Sequence, residues 1–131
     1  MFVGRSRRTN EEGIGQLRAV AERFGWTVHP VPIERCLHLK SAVTAVAADT
    51  LLIDPRAVPA DVFDGYRLIE VDPREGSAAN ALLARDTVIY PDAFPATAER
   101  LRAAGIPLQL LDVSEIAKAE GGVTCWSILI E

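Results

Sequence analysis

Cys125 stands in Gly121-Gly122-Val123-Thr124-Cys125-Trp126-Ser127, six residues (131 − 125) from the end of the sequence, and His38 stands upstream in Leu37-His38-Leu39-Lys40-Ser41. A cysteine that follows two glycines into an expected strand, with a distant histidine, has the layout of a thiolate nucleophile and its proton carrier. The thiolate would attack an electrophilic carbon, and a histidine, which titrates near neutral pH, can both give and take the proton. Each residue also has a plainer reading. A strand-entry cysteine is commonly a small buried hydrophobe, and a lone histidine is commonly a satisfied core or rim residue. His29, between Val28 and Pro30, is read as structural. Cys36 is read as inert. Two histidines and two cysteines could furnish four ligands, but their spacings match no zinc pattern, so neither a metal nor a cofactor is expected.

The elements that must position these residues belong to a soluble globular chain. Apolar residues make up 49% and charged residues 24%, as in ordinary globular domains, and residues 1–131 fit one domain. A net charge of −4 argues against nucleic acid as the main partner, since phosphate binding wants a basic footprint. The run Arg5, Arg7, Arg8 is too short to overturn that. No apolar stretch approaches the ~20 residues a membrane span needs, and Met1 leads almost at once into the strand-like Phe2-Val3-Gly4, with no signal peptide. Two cysteines 89 residues apart (125 − 36) fit no small disulfide framework. A reducing, cytoplasmic setting with free thiols is expected.

Thr9 and Glu12 are spaced as a capping box opening a helix. Ile14, Leu17, Val20, Ala21 and Phe24 follow at helical spacing, and Gly25 is placed as a left-handed cap. Trp26 to Ile33 reads as a strand, with Pro30 and Pro32 marking an edge. Leu37 to Val46 and Thr50 to Ile53 read as a hairpin turning at Ala48-Asp49, in which His38 faces the side opposite Leu37 and Leu39. A short helix over Pro59 to Gly65 and a strand over Tyr66 to Val71 complete a unit. The plan then recurs. Ala79 to Leu83 and Thr87 to Tyr90 form a second hairpin, Pro95 to Ala104 a helix capped by Gly105, and Ile106 to Asp112 a strand. Asp49-Thr50-Leu51-Leu52-Ile53 and Asp86-Thr87-Val88-Ile89-Tyr90 lie 37 residues apart (86 − 49). Ser114 is expected to cap a last short helix ending at Gly121, and Val123 to Ile130 to form a further strand. Such a period signals an array of modules that bury their apolar faces against neighbours. Two full units plus fragments at both ends would leave two raw edges, and the strand ending in Ile128-Leu129-Ile130-Glu131 must pair with something.

Taken in order, Phe2-Val3-Gly4, Ser6-Arg7-Arg8-Thr9-Asn10, Leu37-His38-Leu39-Lys40-Ser41, Ala78-Ala79-Asn80 and Gly121 to Ser127 resemble the C-terminal part of the dimethylarginine dimethylaminohydrolases. These belong to the guanidine-modifying, or pentein, superfamily. The resemblance covers essentially the whole chain and about the last half of a family member. It includes the family's histidine-to-cysteine separation, 87 residues here (125 − 38). The arginine deiminase branch carries an aspartate after the same His-Leu pair, where this chain has Lys40.

The resemblance implies an α/β fold, here a partial five-bladed propeller of repeated hairpin-helix-strand modules. It implies Cys125 as nucleophile on the guanidinium carbon of an N-methylated arginine, His38 as acid and then base, and Arg8 as partner of the substrate's α-carboxylate. Asn80 would bond backbone near the centre of the ring. The product would be citrulline, reached through a thiouronium intermediate with loss of dimethylamine. The family grips the guanidinium with acidic side chains from an N-terminal half, and none of the carboxylates here stands at a position used for that. Trp126 is bulkier than the residue usually found beside the nucleophile, and would pack under the site or crowd it. A complementary N-terminal chain or a homo-oligomer is therefore expected to complete the site. The alternatives are a catalytically silent truncated fragment and a binding module for arginine analogues.

Overall fold

In the computed structural model, which describes residues 1–130, a β–α–β unit is followed by two copies of a strand hairpin joined to a third strand. Strand β1 (Phe2–Arg5) pairs in parallel with β2 (His29–Pro32), in register from Phe2 opposite His29 to Arg5 opposite Pro32. The second strand is shorter than Trp26 to Ile33. The amides of His29 and Ile33 donate to the carbonyls of Met1 and Arg5, so the alternate nitrogens of Pro30 and Pro32 face away from β1, where no ladder needs them. Helix α1 (Glu11–Ala21) links the two strands.

The helix is capped by Asn10 rather than Thr9. The Asn10 side chain accepts from the Gly13 amide at 2.9 Å, while Ser6 and Thr9 exchange backbone hydrogen bonds across a tight turn. With its backbone held in that turn, Thr9 leaves the cap to the next residue with a suitable side chain. Ile14 and Ala21 are buried as the periodicity requires, but Val20 and Phe24 are exposed, because the small unit offers them no neighbouring sheet. Gly25 and Gly105 both end their helices at positive φ. In each case the following amide reaches back five residues, Trp26 to Ala21 and Ile106 to Leu101, the bonding of a Schellman motif.

The two repeats share one topology. β3 (Val43–Ala47) pairs antiparallel with β4 (Thr50–Ile53), which pairs in parallel with β5 (Arg67–Glu70). β6 (Leu82–Ala84), β7 (Thr87–Pro91) and β8 (Leu108–Leu111) are arranged likewise. The central strands start 37 residues apart (87 − 50), as the sequence period predicts. A helix, α2 (Pro95–Ala103), connects β7 to β8, whereas a single 3-10 turn over Ala60–Phe63 does so in the first repeat. β4 and β7 have strands on both sides, but β1 has one on one side only among the described residues.

One expected strand is shortened and another is missing. Residues 37–42 do not extend β3; a 3-10 turn over Leu39–Ser41 replaces them, and the ladder stops where the Asp54 amide meets the Ala42 carbonyl. Val123 to Ile130 contains a turn closed by the Cys125 amide on the Gly122 carbonyl, and no strand among the described residues pairs with it. Glu131 lies outside the described residues. Ser114 does not cap the last helix, α3 (Ser114–Ala117); it is the first helical residue, and the Asp112 carboxylate accepts from its amide.

The core lies between modules. Phe63, Ile53, Val43 and Val31 join the first unit to the first repeat, and Leu52, Tyr90, Leu101 and Val88 join the two repeats. Buried Thr44 fastens the second joint: its hydroxyl donates to the Ala79 carbonyl at 2.6 Å and accepts from the Ala81 amide at 3.1 Å. That bridge fixes the residue between them, Asn80.

The tripeptide Asp-Pro-Arg follows the neighbouring strands β4 and β5. In each copy the aspartate accepts from the backbone and guanidinium of its own arginine, Asp54 from Arg56 and Asp72 from Arg74. Arg74, with Arg100 adding its charge, holds the Asp72 carboxyl far below the usual carboxylate range. A carboxyl depressed in the folded state stabilises the fold above its unfolded value near pH 4, and loses that contribution as the pH falls through the folded value. The urea midpoint of Asp72→Asn should therefore lie below that of the parent at pH 7, with the gap narrowing steadily below about pH 4. A gap that stays constant from pH 7 to pH 2.5 would refute the assignment.

Candidate active site

Four segments meet at one place: the loop after β1, the stretch from Arg35 to Ser41, the Ala78–Asn80 segment and the turn from Gly121 to Cys125. Each is short and irregular, and each is held by a specific bond. The Ser6 hydroxyl donates to the Leu37 carbonyl at 2.9 Å and accepts from the Arg8 amide, so the arginine loop is tied to the residue preceding His38. The Cys36 thiol donates to the His38 carbonyl at 3.5 Å. Burial pushes that thiol up, and the charge of Asp54 adds to the effect, which keeps Cys36 protonated as a donor. Cys36 is thus a structural support for His38, in keeping with an inert reading.

Asn80 connects the two chemical segments. Its Nδ2 donates to the Lys40 carbonyl at 2.9 Å and to the Thr124 hydroxyl at 2.8 Å, and its Oδ1 accepts from the Thr124 amide at 3.1 Å. One buried amide therefore grips backbone two residues after His38 and one residue before Cys125. Of the two glycines before Cys125, Gly122 is required by close approach to the anchored Asn80 side chain, and Gly121 lies under Trp126. A Cβ on Gly122 would come within 2.5 Å of Asn80 Oδ1, and one on Gly121 would overlap the Trp126 indole. Trp126 neither fills nor crowds the site; its ring lies against Gly121, 63% exposed and outside the cavity walls.

His38 and Cys125 are both exposed, and together they border two cavities. One, of about 290 Å³, is also walled by Arg8, Thr9, Leu37 and Lys40. The other, of about 630 Å³, is walled by Asn80, Phe94, Ala117, Glu120 and the two glycines. All three residues singled out in the sequence thus come together: Cys125, His38 and Arg8 share the smaller cavity. His29 stands apart, its ring tilted against Phe2 with centroids 5.5 Å apart. Among the described residues no cluster of three or more potential metal ligands occurs. The arrangement places a thiol, an imidazole and a guanidinium that makes no ion pair with any described residue around one opening, which suits covalent chemistry on a carbon whose other end carries an anion. Glu120, on the wall of the larger cavity, lies on no sequence motif.

No protein-family profile matches the chain. Among curated proteins, a dimethylarginine dimethylaminohydrolase from Pseudomonas aeruginosa is 34% identical over 127 residues, covering 97% of this chain and 50% of the relative. One from Streptomyces coelicolor is 41% identical over 130 residues, covering 98% and 49%. This chain is similar to half of a dimethylarginine dimethylaminohydrolase. It spans about half the length of the curated relatives it matches. A solved structure of the P. aeruginosa dimethylarginine dimethylaminohydrolase, a cysteine-to-serine mutant complexed with citrulline, matches 95% of this chain and 49% of its own with TM-score 0.82 and 32% identity. A second dimethylarginine dimethylaminohydrolase structure, a histidine-to-glycine adduct with S-methyl-L-thiocitrulline, matches the same shares with TM-score 0.84 and 33% identity. An amidinotransferase from Microseira wollei shares the α/β fold at TM-score 0.84, with 17% identity, over 95% of this chain and 42% of its own.

Proposed function

We propose that this chain carries the nucleophile, the proton carrier and the carboxylate clamp of a dimethylarginine dimethylaminohydrolase site. The observation that carries the reading is the meeting of Cys125, His38 and Arg8 around one cavity, in a chain 34–41% identical to such enzymes. Two relatives are in keeping with the reading: one, with a cysteine changed to serine, is complexed with citrulline, and another, with a histidine changed to glycine, forms an adduct with S-methyl-L-thiocitrulline.

In the proposed reaction Arg8 pairs with the α-carboxylate in a bidentate fork, which sets the guanidinium carbon at Cys125 Sγ. The thiolate forms an S–C bond to that carbon, and the tetrahedral adduct collapses with cleavage of the C–N bond to the methylated nitrogen. The released electron pair takes a proton from imidazolium His38, and dimethylamine departs. A thiouronium remains on sulfur. His38, now neutral, removes a proton from water as it attacks the same carbon; cleavage of the S–C bond returns the thiolate, and loss of the remaining O–H proton to solvent leaves citrulline.

The smaller cavity has no carboxylate among its described lining residues. A cationic guanidinium beside a thiolate wants an anchoring charge, and on the side of the smaller cavity a further segment, a separate chain or a second copy would have to supply it. The open edge of β1 and the exposed Ile128, Leu129 and Ile130 are surfaces on which such a complement would dock. Two free thiols are in keeping with a reducing, cytoplasmic setting.

The test is citrulline release from asymmetric dimethylarginine by the purified chain, alone and mixed with the N-terminal half of the S. coelicolor relative. Release in the mixture that vanishes with Cys125→Ser is expected. Silence in both, from a folded chain that still binds citrulline, would favour the arginine-analogue binding module instead.

A further inference from the structure

We infer that the larger cavity is the leaving-amine side of this site, and that Glu120 pairs there with the cationic end of the substrate and with the departing ammonium. The inference rests on the proposed function for its substrate class, but its geometry stands apart from it. His38 and Cys125 border both cavities, Arg8 borders the smaller alone, and Glu120 borders the larger alone. A substrate whose carboxylate is at Arg8 and whose reacting carbon is at Cys125 Sγ must direct its far nitrogens across the Cys125–His38 partition. They then enter the larger cavity.

Its walls suit that cargo. Pro91, Ala93, Phe94 and Ala117 offer apolar surface to N-methyl groups, and about 630 Å³ leaves room for them. Glu120 is the one carboxylate among the described lining residues, and its side chain makes no hydrogen bond or ion pair with any described residue. Arg35, on the same wall, is the opposing charge. It lies near enough to Asp54 to add to the effect of Arg56 in lowering that carboxyl, so its charge is partly answered elsewhere. Backbone geometry marks the same wall. Arg35, Ser77 and Glu120, with φ of 63°, 64° and 55°, are three of the four non-glycine residues at positive φ among the described residues. At Glu120 the conformation is that of a helix end, since the Gly121 amide reaches back five residues to the Ile116 carbonyl, and this cap places Glu120 at the cavity wall.

In chemical terms, the amine leaves with the electron pair of the broken C–N bond and one proton from His38. It then takes a second proton from water and departs as dimethylammonium. A carboxylate on the exit side stabilises both the cationic substrate and that product.

The experiment needs no turnover. Cys125 displaces chloride from 2-chloroacetamidine, a cation, or from neutral 2-chloroacetamide, and the adduct at Cys125 is quantified by peptide mass spectrometry. The ratio of cationic to neutral rates should fall about three- to tenfold in Glu120→Gln, with the neutral rate held within about twofold. The effect should shrink in ~0.5 M salt. Ala117→Lys, which adds a cation to the same wall, should lower the ratio too, and the distant Glu99→Gln should not. An unchanged ratio in Glu120→Gln, or an equal fall in Glu99→Gln, would overturn the assignment. Absence of citrulline release with a Glu120-dependent ratio would sink the hydrolase reading and spare this one; release with a Glu120-independent ratio would do the reverse.

Discussion

Exchange of Cys125 for serine is expected to cut citrulline release by at least about a thousandfold while leaving the affinity for citrulline within about threefold. Both halves of this result follow from the site. A serine hydroxyl is a far weaker nucleophile than a thiolate at neutral pH, and nothing near position 125 is arranged to ionise it. His38 makes no hydrogen bond to Cys125 in the structure; the two border the same cavities without touching through a donor and acceptor. The replacement is nearly isosteric, position 125 is exposed, and its amide bond to the Gly122 carbonyl is made by backbone. The turn should therefore survive. Binding depends on Arg8, which reaches the cavity from the loop after β1 and does not sense the sulfur. Release rates and citrulline titrations on the same preparation check the pair. A serine variant with more than about a tenth of parental activity would remove Cys125 from the mechanism. A variant that has also lost citrulline would show that the thiol shapes the pocket.

What could be read from the sequence was what local chemistry decides. The turns of the two hairpins, their 37-residue offset (87 − 50) and the glycine caps at Gly25 and Gly105 appear where the residues place them, while the first strand of each hairpin starts later than expected, at Val43 and Leu82. Each rests on contacts within a few positions, where turn residues and apolar period act directly. Failures came where distant partners decide. Thr9 has the spacing of a cap, yet its backbone is spent in a turn with Ser6, and Asn10 takes the role. Leu37 to Ala42 has strand-like alternation, but Asn80, some forty residues on (80 − 40), holds the Lys40 carbonyl that a ladder would have used. Val20 and Phe24 have the period of a buried face that no described residue covers. For the candidate site, distinctive motifs single out Cys125, His38 and Arg8, and the fold gathers them at one cavity. Glu120, proposed above, lies on no motif, because only the fold brings it to the cavity wall.

The second large effect is assigned to a residue that does no chemistry. Asn80→Ala should destabilise the chain by about 2 to 3 kcal/mol and slow any turnover on the order of a hundredfold. Three hydrogen bonds disappear, two from Nδ2 and one to Oδ1. The Thr124 amide and the Lys40 carbonyl lose partners in a part-buried place, where an unpaired group costs more than a bond contributes. The catalytic penalty has a separate origin. His38 and Cys125 lie on irregular segments that no sheet supports, and Asn80 is the side chain that ties one to the other. Without it the Gly121–Cys125 turn keeps its internal bond but not its position, and small displacements of reacting groups are costly. Asn80→Asp separates the two effects. It preserves an acceptor for the Thr124 amide and fills the same volume beside Gly122, but sets a carboxylate oxygen against the Lys40 carbonyl. That variant should loosen the Lys40 segment more than the Thr124 segment. Hydrogen exchange over 38–42 and 121–127 reads the two sides independently. Faster exchange in both stretches is expected for alanine, and chiefly in 38–42 for aspartate. Parental exchange in 121–127 in Asn80→Ala, with parental stability, would mean that the turn is positioned by its own glycines and that Asn80 merely fills space.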